Sequence, residues 1–338
     1  MYRFLAYLLL LSFVAACGGV QEKNASQKPA ASIEPAVIEP AVIVPIFDAD
    51  SAYGFVAKQV AFGPRVPNSK GHAECAKYLA AKLQGYGAQV ITQNATLKAY
   101  NGDVLHAKNI IAQFQPEKEN RVLLCAHWDT RPWADSDPDP SNRRKPLPGA
   151  NDGGSGVGVL LEIARQLSQV PTTVGVDIVL FDAEDYGLHE DDSHLWSANR
   201  HSWALGSQYW AINPHKPAYS ARYGILLDIV GAPGSKFCYE GYSAHFAKGV
   251  MNKVWNWAGK LGYSQFFVDE EGGTVSDDHY YVNSVLGIPC IDIINCDPDS
   301  PNGFGPYHHT MKDDMEWIDP LTLKAVGQTV LTVIYNEK

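Results

Sequence analysis

Three stretches of this sequence stay apolar for most of their length and then end in acids. They are "RVLLCAHWD" at 121–129, "VGVDIVLFDAED" at 174–185 and "YGILLDIVGAPG" at 223–234. A strand with one wet face alternates apolar and polar residues, whereas a near-continuous apolar run fits a strand covered on both faces. Helical spacing at 154–167, closed between two such runs, makes the connection a crossover and the strands parallel. "SKGHAECAKYLAAKLQGYG" (69–87) reads as a further helix, and "AQVITQNATL" (88–97), "AKNIIAQFQ" (107–115) and "VLGIPCIDII" (285–294) read as strands. "DPLTLKAVGQTVLTVIYN" (319–336) reads as a closing helix. The pattern predicts an α/β fold: a single globular domain, its central mostly parallel twisted sheet flanked by helices. No second boundary follows Phe47, and 46% hydrophobic residues suffice for a large core.

Parallel strands deliver their carboxyl ends to one edge, where open α/β sheets bind ligands. That edge then collects His127, Asp129, Glu184, Asp185 and Asp228. A sixth group, Asp152, lies in the glycine turn of "GANDGGSGVGVLLEIARQL" (149–167). This turn is not a phosphate cradle: it lacks the third glycine of a dinucleotide loop and the lysine of a P-loop, and its acid would repel phosphate. Asp152 alone could cap the helix or bind a metal. So many like charges in one place are costly unless a cation or shared protons offset them, and a divalent metal is the economical explanation.

The formal net charge is −10, with no long basic cluster, which argues against nucleic acid as a partner. Arg143-Arg144-Lys145 sits in a Pro/Asp-rich stretch and reads as a solvated turn. At the N-terminus Arg3 precedes an apolar run, Phe4 to Ala16, short of the about 20 residues that span a bilayer. "VAAC" (14–17) resembles a bacterial lipoprotein cleavage box. We therefore expect a signal peptide at 1–16, a lipidated Cys17 anchoring the chain to a membrane of the cell envelope (periplasm or outer membrane), a Pro-rich linker through residue 46 and a catalytic domain at 47–338. An ordinary secretory signal is the alternative. No C-x-x-C pair is present, so a cysteine zinc ribbon is not expected. Cys125 reads as a buried thiol, and Cys290 and Cys296 are a candidate pair.

Taken in order, "FGPRVPNSKGH", "AHWD", "GANDGGSG", "FDAED", "LLDIVGAPG", "SDDH" and "HHTMKDD" resemble the M28-type zinc aminopeptidases, from about residue 54 to the C-terminus. Each piece is weak alone; their order makes the match specific. Within that fold, "AHWDTRPWADSDPD", "LDIVGAP" and "LGSQYWA" resemble the glutaminyl-peptide cyclotransferases of Bacteroidetes-type bacteria. Those enzymes convert the N-terminal glutamine of peptides or proteins to pyroglutamate and release ammonia.

The resemblance implies that Asp152, Asp185 and His309 hold one Zn2+. Asp185 replaces the glutamate common in the family, and His308 leaves the histidine register open by one. Glu184 matches the general acid/base. Asp228 and Asp278 match the acids hydrogen-bonded around this centre, with Asp277 as the alternative to Asp278. His127 and Asp129 match the H-x-D of two-zinc relatives, in which the histidine binds a second metal and the aspartate orients it, so two zincs stay open beside the one expected. Trp196 and Phe304 match pocket aromatics, with Trp203 the alternative to Trp196; His308 stands where animal relatives place a tryptophan. The alternatives are a zinc aminopeptidase and a non-enzymatic, lipid-tethered binding protein on a retired peptidase fold. The presence of Glu184 and the metal acids argues against the latter.

Overall fold

The computed structural model describes residues 42–300 and 302–338. The signal segment 1–16, Cys17 and the linker as far as residue 41 lie outside the described residues. In chain order the elements are α1 (Ala49–Val60), α2 (Lys70–Gly85), β1 (Gln89–Lys98), β2 (Val104–Phe114), β3 (Arg121–His127), α3 (Gly154–Gln169), β4 (Gly175–Phe181) and α4 (Leu205–Ile212). They continue as β5 (Gly224–Asp228), β6 (Phe237–Tyr239), α5 (Gly241–Phe246), α6 (Lys248–Lys260), β7 (Phe267–Glu271), α7 (Asp278–Ser284), β8 (Cys290–Ile294) and α8 (Pro320–Tyr335).

The main sheet has the order β1-β2-β4-β3-β5-β8. Strands β4, β3, β5 and β8 run parallel, while β1 and β2 form an antiparallel pair attached antiparallel to β4. Every residue of the four parallel strands is buried, whereas the edge strand β1 is largely accessible. The two-residue period of a strand sorts side chains to opposite faces. Val122, Leu124 and Ala126 of β3 pack in a core with α1, α2, α3, α6 and α8, while Leu123 and Cys125 pack on the other face with Trp210 of α4 and Val282 of α7.

Helix α3 approaches the sheet at Gly156, where an added Cβ would lie 2.1 Å from the Leu227 carbonyl oxygen of β5. Glycine there lets α3 lie on the strand that ends in Asp228. Residues 45 and 46, expected as linker, belong to the folded unit: the Pro45 and Ile46 carbonyls each accept a 3.1 Å hydrogen bond, from Gln328 and Gln166.

The disulfide joins Cys238 to Cys296, and Cys75, Cys125 and Cys290 are buried free thiols. The candidate pair Cys290–Cys296 is therefore not formed. Cys290 opens β8, and six extended residues advance about 20 Å, far beyond disulfide reach.

Candidate active site and metal centre

The parallel strands carry out the convergence that their sequence implies. His127 ends β3, Asp228 ends β5, and residues 182–185 leave the end of β4. The glycine turn brings Asp152 to them. Gly153 has φ +79°, and a Cβ there would sit 2.5 Å from the Asp129 carbonyl oxygen and 2.9 Å from His127 Cε1. Gly153, not Asp152, is the N-cap of α3, and no side chain caps that helix. The carboxylate of Asp152 is thus turned to the sheet edge and not spent on capping.

Two ligand-type clusters meet at Asp152. On one side His309 Nε2 lies 3.6 Å from Asp152 Oδ2 and 3.3 Å from Asp185 Oδ1. On the other, His127 Nε2 lies 3.1 Å from Asp152 Oδ1 and 3.0 Å from Asp228 Oδ1. Donors about 2.1 Å from a tetrahedral zinc stand about 3.4 Å apart; His309 has about that spacing from Asp152 and from Asp185, and the donors of Asp152, His308 and His309 all lie within 4.8 Å of one another. Asp185 Oδ2 supports the same fit: it is buried and has no hydrogen-bond partner. His308 Nε2 is also near, 3.8 Å from Asp152 Oδ2, and its ring stacks on that of His309 at 3.7 Å.

Electrostatics separate the roles of the acids. For Asp152, burial favours the neutral carboxyl, but His127 beside it outweighs that and holds it ionised. Burial, then Asp277, push the Glu184 carboxyl well up; burial, then Asp152, do the same to Asp185. Burial also raises Asp228, to about 7. His309 is pulled down to about 4 by burial and by Arg131, which leaves a neutral imidazole of the kind that binds metal. His127 goes the other way: burial opposes its charge, yet Asp228, Asp129 and Asp152 together raise it well above the usual range.

A cavity of about 270 Å³ opens onto these groups, walled by Trp196, Trp203, Ile229, Val275, Ile294 and Phe304, with Glu184, Asp228 and Asp277 in its polar part. Both candidate tryptophans line it. Trp196 is 47% exposed at the mouth, while Trp203 lies parallel to His309 with ring centroids 5.8 Å apart.

The structure places the two rival acids of the 277–278 pair differently. Asp277, the extended N-cap of α7, faces the cavity; Asp278 is the first helical residue, is fully buried and is not among the lining residues. Successive side chains at a helix start point in different directions, so a shift of one residue decides which acid lines the cavity. Asp129 differs too. It lies 3.6 Å from His127 Nδ1, too far for a hydrogen bond, and instead accepts from the backbone N–H groups of Glu184 (3.1 Å) and Asp185 (3.3 Å). It therefore fixes the acid loop more than the histidine.

Three supporting residues had not been singled out in the sequence. Arg131 donates to the Asp185 carbonyl at 3.1 Å and to Asp135 at 2.8 Å, and its guanidinium sits 4.5 Å from the Trp203 ring centre. Asp135 is in turn 3.7 Å from His309 Nδ1. Asp313 accepts from the N–H groups of Asn151 (2.7 Å) and Asp152 (3.0 Å). Their signal was present in "DTRPWAD" and "HHTMKDD", but a charge among other charges announces no role until its partners are known.

Residues 109–334 match peptidase family M28, and the chain belongs to that family. Among solved structures it is similar to a Zn-dependent exopeptidase from Parabacteroides distasonis: 56% identity, TM-score 0.85, 87% of this chain and 100% of that one covered. It is equally similar to a glutaminyl cyclase from Tannerella forsythia, at 56% identity and TM-score 0.84, again covering 87% of this chain and 100% of that one. Aminopeptidase YwaD of Bacillus subtilis is 28% identical over 281 residues, 81% of this chain but 54% of its own length, so the chain spans about half of that relative.

Proposed function

We propose that the protein is a zinc-dependent glutaminyl-peptide cyclotransferase acting on peptides or proteins with N-terminal glutamine. The observation that carries this reading is one small cavity lined by Asp152, Asp185 and His309, by a buried Glu184 and by aromatic walls. Asp152, Asp185 and His309 would hold the zinc, which when bound supplies Lewis-acid polarisation of the side-chain carbonyl oxygen.

The chain's own groups supply the rest. Trp196, Trp203 and Phe304 exclude water and hold the aliphatic part of the glutamine side chain. Glu184 accepts a proton as the α-amine forms its new bond to the side-chain carbonyl carbon. It returns that proton to the amide nitrogen as the carbon–nitrogen bond breaks and ammonia leaves. Its raised proton affinity suits both directions. Asp228 and Asp277 flank it and hold shared protons in the same wall.

One zinc is the content we infer; His127 lies between Asp152 and Asp228, 3.1 and 3.0 Å from their carboxylates. The aminopeptidase reading is favoured by that same trio, whose spacing also suits a metal. Mass spectrometry of a Gln-initiated peptide separates the two: cyclisation removes the mass of ammonia, while peptidase action removes a whole residue. We also infer that Cys17 is lipidated and that the Pro-rich linker holds the domain off a membrane of the cell envelope.

A further inference from the structure

The catalytic cavity has a neighbour on its Thr274–Val275 side. These residues, with Ile294 and Phe304, also line a second cavity of about 450 Å³. The second cavity is bordered by both cysteines of the disulfide and by the end of β7 with the Gly272–Gly273 turn after it. Its charged lining residues are all acidic: Glu240, Glu270 and Glu271. Glu240 is already engaged, accepting from the N–H groups of Tyr242, Ser243 and Val275 and lying 3.0 Å from His279. Glu270 and Glu271 are exposed and, among the described residues, form no ion pair.

A cyclising substrate folds its first residue back on itself, because the α-amine attacks its own side-chain carbonyl. The remainder of the peptide continues from the backbone carbonyl of that residue and must leave the catalytic cavity. On one side the wall is Trp203, parallel to His309 and covered by Arg131. On the Thr274–Val275 side lies the larger cavity, which shares Thr274, Val275, Ile294 and Phe304 with the catalytic one. An extended chain advances about 3.3 Å per residue, and the two cavities meet at shared residues, so the residues next after the first are the ones that the second cavity would meet.

We infer that the second cavity receives the substrate residues that follow the N-terminal glutamine and selects those carrying Lys or Arg. This rests on the cyclotransferase reading and adds to it a substrate class, basic at the positions after glutamine. Exposed carboxylates act weakly and are screened by salt. The expected preference for Lys over Glu at positions two and three is therefore roughly three- to tenfold in kcat/KM, carried by KM and reduced at high salt.

The test compares Gln-Lys-Lys-Ala, Gln-Ala-Ala-Ala and Gln-Glu-Glu-Ala with the zinc-loaded protein, reading ammonia release at low and high ionic strength. Glu270→Lys/Glu271→Lys is expected to invert the Lys/Glu ratio, and Glu270→Gln/Glu271→Gln to flatten it. Glu119→Lys, exposed before β3 at the opposite end of the sheet, is expected to keep the ratio of the parent. Equal rates for the three peptides, or a preference that survives both double substitutions, overturns the inference while leaving cyclisation standing. Absence of ammonia release from all three peptides overturns the cyclotransferase reading itself, and this inference with it.

Discussion

At the residue scale, Glu184 and Asp185 are adjacent acids with different surroundings. Glu184 faces the cavity between Asp185 and Asp277, whereas Asp185 faces His309 at 3.3 Å and is gripped by Arg131. Glu184→Gln is expected to keep zinc and lower kcat roughly a hundred- to ten-thousand-fold, the usual worth of general acid/base catalysis. Asp185→Asn is expected to lose zinc on dialysis and to recover part of its activity when zinc is added. Elemental analysis beside steady-state rates distinguishes the two; zinc lost from the Glu184 variant and kept by the Asp185 variant would exchange their roles. The backbone is strained around the same centre: Ala183, Ile229 and His309 have φ of 54°, 49° and 55°. A β-branched residue at positive φ costs about 1–3 kcal/mol, which the surrounding fold must hold in place.

At the element scale, α3 and α5 are positioned by different devices. Helix α3 reaches β5 through Gly156, and an added methyl would press on the Leu227 carbonyl. Gly156→Ala is expected to destabilise the protein by about 1–3 kcal/mol and to displace Asp152 with the helix. A urea midpoint equal to that of the parent would contradict the described packing. Helix α5 depends on its cap Glu240, which also accepts from Val275 of the cavity wall. Burial works against its charge, but His279 and the N–H donors hold its carboxyl down to about 2 from an ordinary value of 4.5. Because the folded value is the lower one, the contribution is complete above about pH 4.5 and is lost as the pH falls toward about 2. The stability difference between the parent and Glu240→Gln, on the order of 3 kcal/mol near neutrality, should therefore shrink over that window. Denaturant titrations at pH 6, 4 and 3 measure it.

At the scale of the whole molecule, the compact unit Val42–Lys338 carries the site, and the inferred anchor lies on the chain before it. If Cys17 is acylated, Cys17→Ser should move the protein from the membrane fraction to the soluble fraction or leave it unprocessed. Intact-mass analysis of the unaltered protein from its native membrane checks this: a mature N-terminus without acyl mass ends the lipoprotein reading. The disulfide belongs to this scale as well. Cys238 and Cys296 are 58 residues apart, and their bridge ties β6 to the segment that goes on to Phe304, His308 and His309.

The sequence by itself determined the layered α/β plan and the edge at which the acids gather. Strands apolar on both faces can only be central, and parallel strands must end together. It also proposed Asp152, Glu184, Asp185 and His309, through short motifs whose order resembles the M28-type zinc aminopeptidases, and these four residues line one cavity. Tertiary structure alone decided what depends on direction and on distant partners. The turn of the backbone into α7 put Asp277 in the cavity and Asp278 behind it. The length of β8 sent Cys296 to Cys238. Side chains remote in sequence made Arg131, Asp135 and Asp313 the neighbours of Asp185, His309 and Asp152. Local pattern fixes which face of an element is apolar; a contact between elements depends on the packing of both, and no single stretch of sequence contains that.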